Sequence, residues 1–171
     1  MRHLLVLAIL CLSGCALLQP KIPWVEWPGD VTRLQGEGDI DARWQGRHSS
    51  GTFALKMDYP DALLFEAYGA PFGQTVLHVE KTSSTFLLIA GSEKTTDERP
   101  FVEEYGFGVG QLMDALALKG PREETPEGFL VRHEGYRVLY GQDRRGRKTM
   151  CLQKTDDSVC LAFSQMSFTD R

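Results

Sequence analysis

The sequence predicts an α+β domain that is mainly β, with antiparallel strands in a sandwich or barrel and one or two helices against one face. Period-two alternation of apolar and polar residues dominates after Gly36, the pattern of half-buried strands. One stretch breaks it: Val109, Leu112, Met113 and Leu116 fall at i, i+3, i+4 and i+7, which is helical. The 171 residues are 42% hydrophobic and 25% charged, so one ordinary globular domain is expected. A chain of this length can bury roughly 70% of its unfolded surface without staples.

The first element is not part of that domain. Arg2 precedes the apolar run Leu4 to Leu12, too short to span a bilayer but suited to a secretion signal. Leu12-Ser13-Gly14-Cys15 looks like the lipobox of bacterial lipoproteins. Residues 1–14 are therefore expected to be removed, leaving Cys15 acylated. Two or more acyl chains anchor a protein stably without a spanning helix. Ala16 follows the cysteine where an Asp would favour inner-membrane retention, which implies the periplasmic face of the outer membrane. Residues 15–32 read as a tether. Pro20, Pro23, Pro28 and Gly29 oppose regular structure there. Trp24 and Trp27 either rest at headgroup level or pack on the domain's own surface.

The domain proper is expected over 33–171. In Thr52 to Tyr59, Phe53, Leu55, Met57 and Tyr59 face one way. Strands are also expected at Ala62–Tyr68, Gln74–Lys81 and Ser84–Ala90, then at Glu127–Glu134, Tyr136–Gln142, Arg147–Lys154 and Ser158–Phe168. The polar stretch Gly91 to Arg99 reads as a mobile loop, and Pro100 to Tyr105 as a short helical turn. Gly120-Pro121 stops the main helix. A turn at Lys154-Thr155-Asp156-Asp157 puts Cys151 opposite Cys160, Met150 opposite Leu161 and Leu152 opposite Val159, so those four apolar residues share the core face and both cysteines the other. A structural disulfide between Cys151 and Cys160 is expected in an exported protein, with two reduced thiols or, with no neighbouring His in sequence to support it, a metal site as the alternatives.

The sequence offers little for covalent chemistry. A net charge of −4 argues against nucleic acid as partner. His48, His78 and His133 lie in no metal or nucleophile motif, so no metal, cofactor or enzymatic activity is expected. Gly106 to Gly110 reads as a flexible helix entry rather than an anion-binding turn. Glu103-Glu104 and Glu123-Glu124 read as solvated surface, and Arg144 to Lys148 as a basic hairpin tip.

The segment Ala62 to Leu77, with Gly69-Ala70-Pro71-Phe72-Gly73 at its centre, resembles the strand–Gly-x-Pro-Leu-Gly–strand region of LolB-type outer-membrane lipoprotein receptors. Gly110-Gln111-Leu112-Met113 and Glu134-Gly135-Tyr136-Arg137-Val138-Leu139-Tyr140 resemble the family's middle helix and a later Asp-Gly-Trp-x-Val-x-Tyr strand. Tyr136 stands where that pattern has Trp. The resemblance covers roughly Gly36 to Phe168. It implies an incomplete antiparallel β-barrel with helices as a lid over an apolar cavity. It also implies a monomer that accepts lipoproteins from a periplasmic LolA-like carrier and inserts them into the outer membrane. Candidate residues lining the acyl-chain cavity are Phe53, Leu55, Met57, Leu63, Phe65, Leu77, Phe86, Leu88, Leu112, Met113 and Leu116. The alternative for each is ordinary core. Pro71 and Phe72 lie in the closest match to the family's membrane-inserting loop, with Phe72 where the pattern has Leu; folded inward, Phe72 would instead plug the core. The competing expectation is an adaptor lipoprotein of an envelope complex, with the same fold and no lipid cargo.

Overall fold

The computed structural model describes residues 26–69 and 73–170. Cys15, the signal, Trp24, Pro71 and Phe72 lie outside the described residues. The strands are β1 (Val31–Trp44), β2 (Arg47–Asp58), β3 (Ala62–Gly69), β4 (Gln74–Lys81), β5 (Phe86–Ala90) and β6 (Glu93–Thr95). Two helices follow, α1 (Arg99–Tyr105) and α2 (Val109–Leu116). The chain then forms β7 (Arg122–Thr125), β8 (Gly128–His133), β9 (Tyr136–Gln142), β10 (Lys148–Lys154) and β11 (Asp157–Asp170). All eleven strands form one sheet in the order β6-β5-β4-β3-β2-β1-β11-β10-β9-β8-β7. Every neighbouring pair is antiparallel. The β1–β11 pair joins the two ends of the chain and is the one non-sequential contact in that order. β6 and β7 end the sheet, which is therefore not closed into a barrel.

The strands expected from alternation form, with shifted ends. β4 and β9 have the expected bounds. β2 starts at Arg47 rather than Thr52, and β11 runs on to Asp170. Three strands escaped the sequence reading. β1 already begins at Val31, so the boundary expected at residue 33 falls inside a strand. Its inward positions include Gly36 and Gly38, which carry no apolar side chain to reveal the alternation. β6 lies within the segment expected to be a mobile loop, and β7 carries the carboxylates expected to be mere surface. Both are edge strands with one partner and polar side chains, so no period-two signal marks them.

Glycine is required where β1 meets β11. A Cβ on Gly38 would stand 2.0 Å from the Ala162 carbonyl oxygen, and one on Gly36 2.8 Å from the Phe163 ring. The register slips between Glu37 and Gly38, leaving one extra residue on β11. Two further slips lie between Val31 and Arg33, where β1 holds the extra residue, and between Ala67 and Tyr68, where β4 holds it. Such bulges bend a sheet and increase its twist.

The helices cover one face of this bent sheet. Tyr59, just past β2, donates its hydroxyl to Asp114 at 2.8 Å. Tyr140 of β9 donates to the Ala115 carbonyl at 2.7 Å. β2 and β9 are four places apart in the sheet, about 19 Å if it were flat at about 4.8 Å per neighbour. Adjacent residues of one short helix meet both because the sheet curls around α2. That helix turns Val109, Met113 and Leu116 inward, as its spacing predicts. Gly106 ends α1 in the left-handed region at φ 71°, and its N–H donates to Val102.

Cys151 faces Cys160 in the register expected from the hairpin, with Met150 opposite Leu161 and Leu152 opposite Val159. The two sulfurs are joined across a Cα–Cα distance of 4.1 Å. Met150, Leu152 and Leu161 are buried, while Val159 is half-buried. The disulfide closes a short loop, so its removal is expected to cost about 2–3 kcal/mol. Urea unfolding should therefore shift when the wild type is reduced. The Cys151→Ala/Cys160→Ala double variant should start at the lower midpoint and ignore reductant.

Candidate functional site

The concave face of the sheet and the two helices enclose one continuous apolar cluster. All eleven residues expected to line a cavity belong to it. β2 supplies Phe53, Leu55 and Met57, β3 supplies Leu63 and Phe65, and α2 supplies Met113 and Leu116, all buried. Leu88 of β5 is buried too. Leu77, Phe86 and Leu112 are partly buried at its margin. Alternation explains this gathering, because residues two apart share a sheet face.

The other half of the interior was singled out from sequence only at Met150, Leu152 and Leu161, through the register of the cysteine hairpin. It comprises Phe129 and Val131 of β8, Val138 and Tyr140 of β9, Met150 and Leu152 of β10, and Leu161 and Phe163 of β11. The same alternation marks them, so the signal was present. Aromatic rings tie the halves together. Phe53 stacks on Phe65 at 6.0 Å and meets Phe163 edge-on at 5.2 Å. Phe107, between the helices, meets Trp44, Phe101 and Tyr136.

Trp27 belongs to this interior. It is 7% exposed and packs edge-on against Tyr140 at 5.4 Å and Phe129 at 6.3 Å. The choice between headgroup and domain surface is thus decided for Trp27 in favour of the domain. Its segment is strapped down by cations. Lys148 donates to the Glu26 carbonyl at 2.6 Å and lies over the Trp27 ring at 5.5 Å. Arg122 donates to the Pro28 and Gly29 carbonyls, and Lys119 pairs with Asp30. The Trp27 indole N–H is buried with no acceptor among the described residues.

No charged side chain is buried among the described residues. The tyrosines at the interior supply its polar contacts. Tyr140 is held neutral well above the usual phenol range by burial. Burial pushes Tyr136 up to about 12, and its hydroxyl donates to Gln111 at 3.4 Å. His133 stacks on Tyr136 at 4.6 Å, and burial lowers its pKa.

The described surface carries concavities of about 360, 460 and 450 Å³. Of the eleven candidates, Leu55 borders the second and Phe86 the third. All three open outward; the first and third are lined largely by polar residues, and the second by a mixture in which Ala54, Leu55, Leu64 and Met166 supply the apolar part. The histidines do not converge. His48 pairs with Asp41 at 2.7 Å on the surface. His78 meets Glu66 at 3.1 Å, and Tyr68 donates to the same carboxylate. Those two hydrogen bonds hold Glu66 below the usual carboxylate range. No group of three His, Cys, Asp or Glu side chains is placed to hold a metal among the described residues.

The remaining motifs resolve locally. At the α2 entry, the Gly108 N–H donates to Gln111 Oε1 and the Val109 N–H to Glu98 Oε1, so those amides are taken by the chain itself. In the basic hairpin tip, Arg147 binds Asp143 and Asp39, while Arg144 and Arg145 are exposed. Glu123 pairs with Arg132, and the Glu104 carbonyl accepts the Trp44 indole N–H. Compared with known proteins, the chain matches no family model and no curated protein.

Two tests follow from the tyrosines. Tyr140→Phe removes the buried hydroxyl from the Ala115 carbonyl and should cost about 1–2 kcal/mol in urea unfolding. Tyr136 ionises near 10 when unfolded and near 12 when folded. Its contribution is full below pH 10 and is lost as pH rises from about 10 towards 12. Unfolding free energy should fall across that window, with a shallower slope in Tyr136→Phe.

Proposed function

We propose that this chain is a lipid-anchored envelope protein that takes acyl chains against its apolar concave face and hands lipoproteins to the outer membrane without covalent chemistry. The observation that carries this reading is an unclosed antiparallel sheet whose one face is continuously apolar and is covered by only two short helices. Such a face is held shut by a lid rather than by strand pairing, so it opens without breaking the sheet. The lid's polar hold is modest: Tyr59, Tyr136 and Tyr140 donate to α2, the Trp44 indole N–H donates to the Glu104 carbonyl of α1, and Val31 N–H donates to the Ala117 carbonyl. Hydrogen bonds of this kind contribute about 1 kcal/mol each. Burying a 16-carbon chain contributes about 12 kcal/mol gross, at about 0.8 kcal/mol per CH₂. The gross gain from an acyl chain therefore exceeds the hydrogen bonds that hold the lid, before the apolar packing of Phe101, Phe107, Val109, Met113 and Leu116 is counted.

On this reading the fold is the incomplete barrel with helical lid of LolB-type receptors, and Cys15 carries the anchor on the periplasmic face of the outer membrane. A LolA-like carrier presents the cargo to a monomeric receptor. Phe72, in the segment of chain between β3 and β4, enters the bilayer interface and directs release. An adaptor role with a permanently filled interior is favoured by one observation: eight of the eleven candidate lining residues are buried in mutual packing.

Titrating the full chain with a fluorescent fatty-acyl probe separates the two readings. Saturable binding, competed by an acylated lipoprotein peptide, is the expected result. No binding by a folded protein would leave the adaptor. Phe72→Glu should retain the fold and the probe affinity yet lose transfer of lipoprotein to vesicles. Transfer at the wild-type rate would remove Phe72 from the mechanism.

A further inference from the structure

The concavity of about 360 Å³ at the ends of the β8–β9 and β10–β11 hairpins has an unusual lining. Arg132, Arg137 and Lys154 border it together with His133, Tyr136 and Gln153, and no carboxylate does. Arg132 and Arg137 sit directly opposite each other in the β8–β9 register. Like charges in that position repel across a strand pair. Little in the protein offsets the repulsion. Arg132 meets Glu123 at 2.9 Å, but both side chains are more than half exposed, where such pairs contribute little. Arg137 donates to the neutral Gln153 at 3.0 Å and has no carboxylate partner among the described residues.

Two further groups complete the arrangement. The Lys154 ammonium lies against Gly106, only 2.0 Å from where a Cβ would stand. The glycine thus leaves the space the ammonium occupies. Lys154 has no ion pair among the described residues. His133 Nε2 is shut off from solvent and has no hydrogen-bond partner there. A buried ring nitrogen normally finds one.

We propose that this concavity binds the oxyanion of a phosphate group, with the Arg132 and Arg137 guanidiniums as paired forks and the Lys154 ammonium as a point charge. Planar guanidiniums match phosphate geometry, and charge-assisted bonds of this kind are strong. A bound oxyanion turns the repulsion between Arg132 and Arg137 into shared attraction. The same chemistry is offered by the phosphodiester of a phospholipid headgroup and by free phosphate. The site does not depend on acyl-chain binding, so either reading can fail alone.

The test is an NMR titration of the full chain at constant ionic strength, following the His133 imidazole. One arm uses inorganic phosphate and the other glycerophosphoglycerol, the water-soluble headgroup of phosphatidylglycerol. Saturable shifts at millimolar ligand are expected, with the His133 pKa rising as the anion binds. Arg137→Gln and Lys154→Gln should each weaken binding about tenfold or more, the loss of one charge-assisted bond. Both variants neutralise a side chain that is not buried, and cooperative urea transitions with midpoints no lower than the wild type's will show that they fold. Tighter binding of the phosphodiester assigns a lipid source, and tighter binding of phosphate a free anion. Shifts that never saturate, or that are equal in wild type and variants, would overturn the site.

Discussion

The pairing of the first strand with the last is the constraint on which the rest depends. β1 and β11 are each 14 residues long and lie side by side at the centre of the sheet. Without that ladder the protein is two separate meanders, β1 to β6 and β7 to β11, each with one bare apolar face. With it, the two faces merge into one concave interior that a single pair of helices can cover. The cost is entropic, because the ladder closes a loop of nearly the whole chain before its contacts form. Topologies dominated by such distant pairings fold slowly. The close approach at Gly36 and Gly38 is what lets the ladder form at all, since side chains there would meet the Phe163 ring and the Ala162 carbonyl.

The interior and its rim follow different physics. Inside, apolar area and ring packing dominate, and the polar atoms of Tyr59 and Tyr140 reach helix acceptors. At the rim, ion pairs such as Lys81–Glu98 and Lys119–Asp30 join segments distant in sequence. Their side chains are partly solvated, so they set register and orientation more than stability. The Trp27 strap combines both: its ring is interior, and its backbone is held by rim cations.

Much of this was legible in the residues. Alternation located β2 to β5 and β8 to β11. The helical stripe placed α2, which ends at Leu116, ahead of the expected stop at Gly120-Pro121, and the two cysteines fixed a hairpin register residue by residue. Edge strands β6 and β7 were not legible, because a strand with one partner and solvent on most sides needs no apolar alternation. Trp27 was ambiguous because proline-rich sequence excludes regular structure without saying where a ring will pack. The eleven candidate lining residues did gather on one face, since a shared face follows from period alone. The opposed Arg132 and Arg137 were recoverable in principle. They flank His133-Glu134-Gly135-Tyr136, whose Glu-Gly centre makes a two-residue hairpin turn and sets them across from each other.

An eleven-stranded sheet that never closes leaves two rows of unpaired backbone groups, an invitation to join end to end with other copies. The chain keeps both rows short: β6 offers three residues and β7 four. Glu93 and Lys94 stand exposed on one edge, and Arg122, Glu123 and Glu124 on the other. A second copy would gain a few ladder bonds while crowding charge against charge. The gap that leaves the apolar face to a lid is thus insulated against fibre growth by the shortness and charge of its own borders.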